Sequence, residues 1–377
     1  MVYLDNAATS FPKPEVVYNS MLDCMKGYCA NPGRGSHKMS LECEMKILDT
    51  REKISRFFNI DNMMNVIFTN NTTEGLNIAI KGLLGNGDHV ITSYIEHNSV
   101  YRPLKSLKNK GLEISMIPVD SKGYIVEEAL KKSLKNNTKA VIINHGSNVL
   151  GTVQNIEAIG KFAKANNLVF IVDGAQTAGI VDIDVKRMNI DILAFPGHKS
   201  LYGPQGIGGV YISSDVNITS FKEGGTGSNS NIIDQPDFLP DKFESGTLNT
   251  PGIVGLGEGV DFINRIGMNN IRKHDQNLSA YLNEELKKLS FVRLYGEENC
   301  YKKCPVVSFN IDGFDSSEIG EALNYRDIYL RTGYHCAPKI HSIIGTTNLG
   351  TVRASFGYFN NLEDVESLIE AIKEIYK

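Results

Sequence analysis

Seven short runs rich in β-branched and apolar residues recur between positions 66 and 212, and they constrain the fold more than any other feature. They are Val66 to Thr69, His89 to Ser93, Leu112 to Pro118, Lys139 to Asn144, Leu168 to Val172, Asp191 to Phe195 and Gly208 to Ile212. Segments with helical spacing lie between them; Ile156, Ile159, Phe162 and Ala163, for example, share one helix face. This alternation predicts an α/β fold with a large, mostly parallel wound sheet. The near-continuous apolar character of the runs suits strands covered on both faces. In open α/β sheets the ligand crevice lies beyond the carboxyl ends of the strands. Thr72, Asp173 and His198 fall there.

After residue 250 the pattern changes to two long helices, Pro251 to Ile266 and Asn270 to Leu289. Strands follow at Phe291 to Tyr295 and Val306 to Ile311, then a helix from Ser316 and strands near Ile328 and Thr351. The last helix sets Leu362, Val365, Leu368, Ile369, Ile372 and Ile375 on one stripe, which reads as a core face. With 377 residues there is room for two domains. The expected division is a large α/β domain over 15–255 and a smaller α+β domain formed by 1–14 and 256–377. The hinge is sought in the Gly- and Pro-containing stretch from Gly246 to Gly259.

Composition narrows the function. The 39 basic against 43 acidic residues give a net charge of −4, which argues against a nucleic-acid partner held by phosphate electrostatics. The most apolar Gly-rich segment, Leu248 to Ile266, is interrupted by Glu258 and Asp261, so no membrane span is expected. Met1-Val-Tyr-Leu-Asp5 shows no export signal, and a cytoplasmic location is the default expectation. Six Cys in a chain this long do not form a disulfide scaffold, and Cys24/Cys29 and Cys300/Cys304 miss the spacing of zinc knuckles; no metal is expected.

Asp173 closes the apolar run Leu168-Val-Phe-Ile-Val172. A carboxylate at the end of a buried strand is costly unless a cation meets it, and alone it reads equally as a helix N-cap or a metal ligand. The strand Asp191-Ile-Leu-Ala-Phe195 runs into Pro196-Gly-His-Lys-Ser200, which sets Lys199 beside His198 at another carboxyl end. A lone Lys in such a turn is ordinarily a surface residue. The pairing carries the signal. A buried Asp that keeps a pyridinium nitrogen protonated, with a Lys that forms a Schiff base, is the recurring protein contribution to pyridoxal phosphate chemistry. A desolvated Lys near another cation loses its proton close to neutral pH and becomes a nucleophile.

A cofactor phosphate needs donors. Asn70-Asn-Thr-Thr-Glu-Gly75 joins a strand to a helix, so its free N–H groups and the hydroxyls of Thr72 and Thr73 form an anion site, although the same residues are an ordinary helix start. Ser228 and Thr247, in Gly-rich loops, are further candidate hydroxyls. His97, after the strand His89 to Ser93, suits stacking on an aromatic cofactor or a purely structural place.

Ten segments, in order, resemble the cysteine desulfurase family of class V aminotransferase-fold enzymes. They are Tyr3-Leu-Asp-Asn-Ala-Ala-Thr9, Thr72-Thr-Glu74, Glu96-His97, Ser147-Asn-Val-Leu-Gly-Thr152, Asp173-Gly-Ala-Gln176, Gly197-His-Lys199, Tyr202-Gly-Pro-Gln-Gly206, Phe243-Glu-Ser-Gly-Thr247, Arg331-Thr-Gly-Tyr-His-Cys-Ala-Pro338 and Val352-Arg-Ala-Ser355. The resemblance spans nearly the whole chain. It implies the fold type I pyridoxal phosphate architecture and a homodimer. It implies that Lys199 carries the cofactor, Asp173 pairs with its ring nitrogen, His97 stacks on the ring, and Asn148 and Gln176 lie near its phenolic oxygen and the substrate. Thr72, Thr73 and His198 would hold the phosphate, with Thr247 reaching in from a partner subunit, and Arg353 would clamp the substrate carboxylate. The family often has a Ser two residues before the His of its Ser-Gly-His-Lys motif; Pro196 stands there, which removes one phosphate hydroxyl unless Ser228 or a backbone group substitutes.

Cys336 separates sulfur transfer from ordinary transamination. A Cys alone in a loop is usually inert, but within Arg-Thr-Gly-Tyr-His-Cys-Ala it is the candidate nucleophile, and His97 a candidate proton relay. The resemblance then implies conversion of L-cysteine to L-alanine with a persulfide on Cys336. The short segment from Cys336 to Arg353 resembles the compact-loop branch of the family, whose limited reach implies an acceptor protein that comes to the pocket. Three alternatives stay open: a selenocysteine lyase acting on L-selenocysteine, a class V aminotransferase, and a catalytically silent cofactor-binding scaffold.

Overall fold

In the computed structural model, which describes residues 1–33, 35–228 and 231–377, the seven apolar runs assemble into one sheet. Its strands are β1 (Val66–Thr69), β2 (His89–Ser93), β3 (Glu113–Ile117), β4 (Thr138–Asn144), β5 (Val169–Asp173), β6 (Ile192–Pro196) and β7 (Gly208–Ile212). Their spatial order is β1-β7-β6-β5-β4-β2-β3. Every neighbouring pair is parallel except those made by β7, which runs antiparallel to both β6 and β1. The connection from β6 to β7 is too short for a crossover helix, so the chain turns straight back.

Helices α1 (Glu15–Gly27), α2 (Lys38–Phe57), α3 (Thr72–Leu83), α4 (Asn98–Lys108), α5 (Glu127–Lys132), α6 (Ile156–Ala165) and α7 (Thr250–Ile266) belong to this layer. Alternation along the strands feeds two cores. Phe170 and Val172 of β5 face a cluster with Ile54 of α2, Ile159 of α6 and Leu256 of α7, while Ile171 faces Leu76 of α3 and Leu104 of α4. A sheet buried on both faces explains why its strands read as continuous apolar runs.

The smaller layer has strands β8 (Val292–Tyr295), β9 (Val306–Ile311), β10 (Arg331–Gly333) and β11 (Thr351–Ser355), in the antiparallel order β10-β11-β9-β8. Helices α8 (Met268–Lys287), α9 (Ser316–Asn324), α10 (Pro338–Ile343) and α11 (Leu362–Ile375) complete the chain. Leu282, Ile319, Leu368 and Ile372 from α8, α9 and α11 share one core with Phe309 and Val352. The stripe on α11 is therefore core. Val2 and Tyr3 pair in parallel with Ile328 and Tyr329, and Leu4 enters the same core, which ties the start of the chain to this layer. Helix α7 runs unbroken across 255/256, and Ile253, Leu256, Val260 and Ile263 all pack with the larger core; a division placed there cuts a helix that packs as one piece.

Among the described residues no helix is long and apolar enough to cross a membrane. A buried ion pair fixes the segment before Thr247. Arg51 of α2 donates to both carboxylate oxygens of Glu244 at 2.8 and 2.9 Å, and Glu244 also accepts from the Phe68 N–H at 2.6 Å. Removing one member strands the other charge in the interior, so Glu244→Ala is expected to cost about 3–5 kcal/mol, read from urea unfolding.

Candidate active site

The carboxyl ends of β1, β2, β4, β5 and β6 converge on a cavity of about 200 Å3. Nine of the residues singled out from the sequence line it: Thr72, Thr73, His97, Asn148, Asp173, Gln176, His198, Lys199 and Arg353. The small layer contributes Arg331 and Arg353, and the N-terminal segment contributes Ala7 and Ala8. The site therefore forms where the two layers meet.

Lys199 follows β6 and is half-buried in the cavity wall. Burial pulls its amine from 10.5 down to about 8, with Arg353 and Arg331 adding to the drop and the Asp173 charge opposing it. A substantial fraction of the amine is then neutral near physiological pH, as a nucleophile or base requires. Asp173 ends β5 and is 1% exposed. Burial raises its carboxyl, while the Ala175 N–H, which donates to Oδ1 at 3.0 Å, and the Lys199 charge oppose the rise. It can serve as the counter-charge for a cation held inside the cavity.

His97 caps α4. Its Nδ1 accepts from the Ser99 N–H at 3.1 Å, which assigns the ring proton to Nε2. Burial and the nearby Lys199 and arginine charges bring this imidazole down to about 4, so it is neutral at pH 7. Ser99 Oγ bridges His97 Nδ1 at 2.8 Å and Thr73 Oγ1 at 2.7 Å, joining the two helix starts that face the cavity. Asn71 caps α3 by accepting from the Glu74 N–H at 3.0 Å, which leaves the first N–H groups of that helix turned toward the cavity as an anion site.

Thr72, Asn148, His198 and Arg353 all line the cavity, and Thr72 Oγ1, Asn148 Oδ1, His198 Nδ1 and Arg353 Nε are each buried without a hydrogen-bond partner among the described residues. Buried polar groups are almost always satisfied, so four orphans around one cavity mark a place built for a polar ligand. An oxygen-rich aromatic phosphate matches this donor set of hydroxyls, a helix N-terminus, a carboxylate, imidazoles and guanidinium groups.

Arg353 is 1% exposed. Its Nη2 holds Asp5 at 2.7 Å and its Nη1 donates to the Asn148 carbonyl at 2.9 Å. Arg331 lies between the cavity and Cys336, donating from Nη2 to the sulfur at 3.3 Å. Cys336 does not itself line the cavity; the guanidinium links the two. Sequence reasoning gave no role to Asp5, Ser99 or Arg331, although Asp5 and Arg331 stand inside quoted motifs and Ser99 follows one.

The Cys336 turn is held rigidly. His335 and Cys336 both sit in the left-handed region, at φ 50° and 59°, a strained conformation for residues with a Cβ. Their carbonyls accept from Asn148 Nδ2 and from the Asn98 N–H, and His335 Nε2 meets Thr351 Oγ1 at 2.9 Å. Strain that the surroundings over-determine in this way is characteristic of functional sites.

Two expected hydroxyls lie elsewhere in this chain. Ser228 Oγ is bonded to Asp241 and lines a different, open cleft, so it stands apart from Pro196, which lines the cavity of the same chain. Thr247 lies in another cleft with Arg51 and Glu244.

Glu96 is fully buried behind the cavity. Its Oε1 accepts from Ser93 Oγ at 2.5 Å and the Asn144 N–H at 3.1 Å, and burial, helped by the Asp173 charge, raises it to about 8. The unfolded chain releases this proton near 4.5 and the folded one holds it until about 8, so this group erodes stability as pH rises across that window. Glu96→Gln is expected to match the wild type near pH 4.5 and to exceed its stability by a few kcal/mol, as an order of magnitude, at pH 8. Unfolding curves across pH check this.

A family model described as aminotransferase class-V matches residues 2–368. A protein named probable cysteine desulfurase from Methanothermobacter thermautotrophicus is 35% identical over 383 residues, covering 99% of this chain and 94% of its own. The cysteine desulfurase of Haloferax volcanii is 33% identical, covering 99% and 88%. Among solved structures, the apo cysteine desulfurase of Thermococcus onnurineus superimposes with a TM-score of 0.92 at 34% identity, covering 99% of this chain and 94% of that one. The cysteine desulfurase CsdA of Escherichia coli gives a TM-score of 0.90 at 27% identity, with the same coverage.

Proposed function

The chain belongs to the class V aminotransferase family, and within it we propose that the protein is a cysteine desulfurase: L-cysteine plus the Cys336 thiol yields L-alanine plus a Cys336 persulfide. The observation that carries this reading is the Arg331 side chain, which lines the Lys199 cavity and grips the Cys336 sulfur at 3.3 Å. A transaminase needs no thiol there.

The residues present fit pyridoxal phosphate. Lys199 Nζ would hold it covalently, Asp173 would face its ring nitrogen and His97 its ring. Thr72, Thr73, His198 and the α3 N-terminus would hold its phosphate, with Asn148 and Gln176 near its phenolic oxygen. Bound there, the cofactor supplies an electron sink for the charge that develops at the substrate Cα.

This chain's own groups do the rest. Arg353, fixed by Asp5 and Asn148 and with its Nε unpartnered, would receive the substrate carboxylate. Neutral Lys199 takes the Cα proton at Nζ, and His97, carrying its proton on Nε2, is placed to deliver one. The Cys336 sulfur attacks the substrate sulfur: an S–S bond forms, the substrate C–S bond breaks, and the carbon skeleton leaves as alanine after protonation. Thr247 lies in a separate cleft, which fits a role in completing the cavity of a second copy in a homodimer.

The test is incubation of the purified holoenzyme with L-cysteine, L-selenocysteine or an amino acid plus an α-keto acid, with alanine measured alongside the mass of the Cys336 peptide. Alanine together with one added sulfur on Cys336 is the expected result. Turnover that needs the keto acid and leaves Cys336 unmodified would overturn the reading.

The low Lys199 amine gives a second check. The rate at which cofactor-free protein captures pyridoxal phosphate is expected to rise roughly tenfold from pH 7 to 9 and then level off, as the neutral fraction of a group titrating at about 8 grows toward one. An ordinary lysine would give a steeper rise with no plateau.

A further inference from the structure

A separate cleft, of about 490 Å3, opens beside the Cys336 turn. Its floor is apolar: Leu104 from α4, and Ile114 and Met116 from β3, the edge strand of the large sheet. Its rim is cationic, with Arg102, Lys105 and Lys108 from α4 and Lys339 from α10. No Asp or Glu lines it, and none of the four cations forms an ion pair among the described residues. All four are exposed.

That concentration is unusual for this chain, whose net charge is −4. Arg102, Lys105 and Lys108 follow one another at three-residue spacing, so like charges stack along one helix face and repel, and only the helix dipole at the last turn, where Lys105 and Lys108 sit, works against that repulsion. Nothing within the described protein offsets that repulsion by pairing. Lys339 is further fixed over the rings of Tyr94 and Tyr101, with its Nζ 5.3 and 5.8 Å from their centroids.

The cleft abuts the backbone of the Cys336 turn. Asn98, the first residue of α4, donates its N–H to the Cys336 carbonyl at 2.8 Å, and Pro338 and Lys339 follow Cys336 by two and three residues. Because the turn is pinned on both sides, Cys336 cannot travel far to deliver sulfur. The receiving thiol has to come to it, over this surface.

We propose that the cleft between α4 and the Cys336 turn docks the sulfur acceptor, and that it selects an acidic protein segment carrying an apolar side chain; this rests on the persulfide reading of Cys336. The carboxylates answer the four rim cations and the apolar side chain covers Leu104, Ile114 and Met116. A single-stranded nucleic acid fits less well: its backbone would leave the aliphatic floor uncovered, and the ring faces of Tyr94 and Tyr101 already carry Lys339.

The test uses the holoenzyme and two fluorescent peptides of equal length and no cysteine, one rich in Asp and Glu around a central Leu, the other with Lys in their place. The acidic peptide is expected to bind at least about tenfold more tightly at low ionic strength, with the gap closing as salt is added. Lys105→Glu with Lys108→Glu should abolish the preference, and the milder pair Lys105→Gln with Lys108→Gln should reduce it. With a cysteine added to each peptide and labelled L-cysteine as sulfur source, the acidic one should take sulfur from Cys336 about tenfold faster. The charge-reversed variant should lose that advantage while alanine formation with dithiothreitol stays within about twofold. Equal binding of the two peptides overturns the proposal. So does a labelled oligoribonucleotide that outcompetes the acidic peptide and is lost in the charge-reversed variant. If the wild type makes no alanine with dithiothreitol, the desulfurase reading fails by itself, since peptide binding is measured without turnover.

Discussion

Replacing Cys336 by Ala is expected to reduce alanine formation from L-cysteine by about 10^3-fold or more, with no sulfur added to the protein and the cofactor absorption retained. The other five thiols are excluded by their surroundings. Cys24, Cys43, Cys300 and Cys304 are buried, and burial pushes each thiol upward, to about 11 for Cys24 and about 12 for Cys304. Such sulfurs stay protonated at neutral pH and out of reach of substrate. Cys29 is exposed but follows the end of α1 and does not line the Lys199 cavity. Cys304 does touch the cavity wall, donating to the Gln176 carbonyl at 3.5 Å, but it is the thiol that burial raises to about 12; Cys336 is instead met by a cation of the cavity, Arg331. Alanine and peptide mass, measured on the same sample, check the result. A Cys336→Ala variant that still released alanine at the wild-type rate would show that the C–S bond is cleaved without this thiol.

The seven strands were readable because burial on both faces leaves an uninterrupted apolar signature, and β5 ends in Asp173 where that signature stops. Lys199 and Asp173 could be paired because both follow strand ends of one sheet, which brings their positions together by topology alone. The grip on Arg353 was not readable. It comes from Asp5, delivered by the two-residue pairing of Val2 and Tyr3 with Ile328 and Tyr329, a run too short to leave a pattern. Strand β10 and helix α10, which bracket Cys336, are short for the same reason. The left-handed backbone at His335 and Cys336 is invisible because neither is Gly; it is imposed by Asn148, Thr351 and Asn98 from three distant segments. Ser99 is another case of this kind, since its bridge between His97 and Thr73 exists only once α3 and α4 stand side by side.

Replacing Lys199 by Ala should have a larger effect still, because one side chain is asked to do two jobs. Its amine anchors the cofactor and then serves as the base at the substrate Cα, and loss of the base alone is worth up to about 10^4-fold. The variant is expected to form no alanine above background and to show no cofactor mass after borohydride reduction, while Thr72, Asp173 and His198 still bind pyridoxal phosphate without a covalent link. Lys199→Arg separates charge from chemistry: it keeps the cation beside Asp173 but cannot give up its proton near neutral pH, so it should be as inactive as the Ala variant. One other amine in the neighbourhood is unusually ready to lose its proton. Burial brings Lys13 down to about 7, and its Nζ is held by Ser10 Oγ and the His198 carbonyl, each at 2.7 Å. Lys13 does not line the cavity, so a low pKa without the right position should count for nothing. Lys13→Ala is therefore expected to keep the borohydride-trapped cofactor that Lys199→Ala loses. The opposite pattern would move the attachment point to residue 13 and take the Asp173 pairing with it.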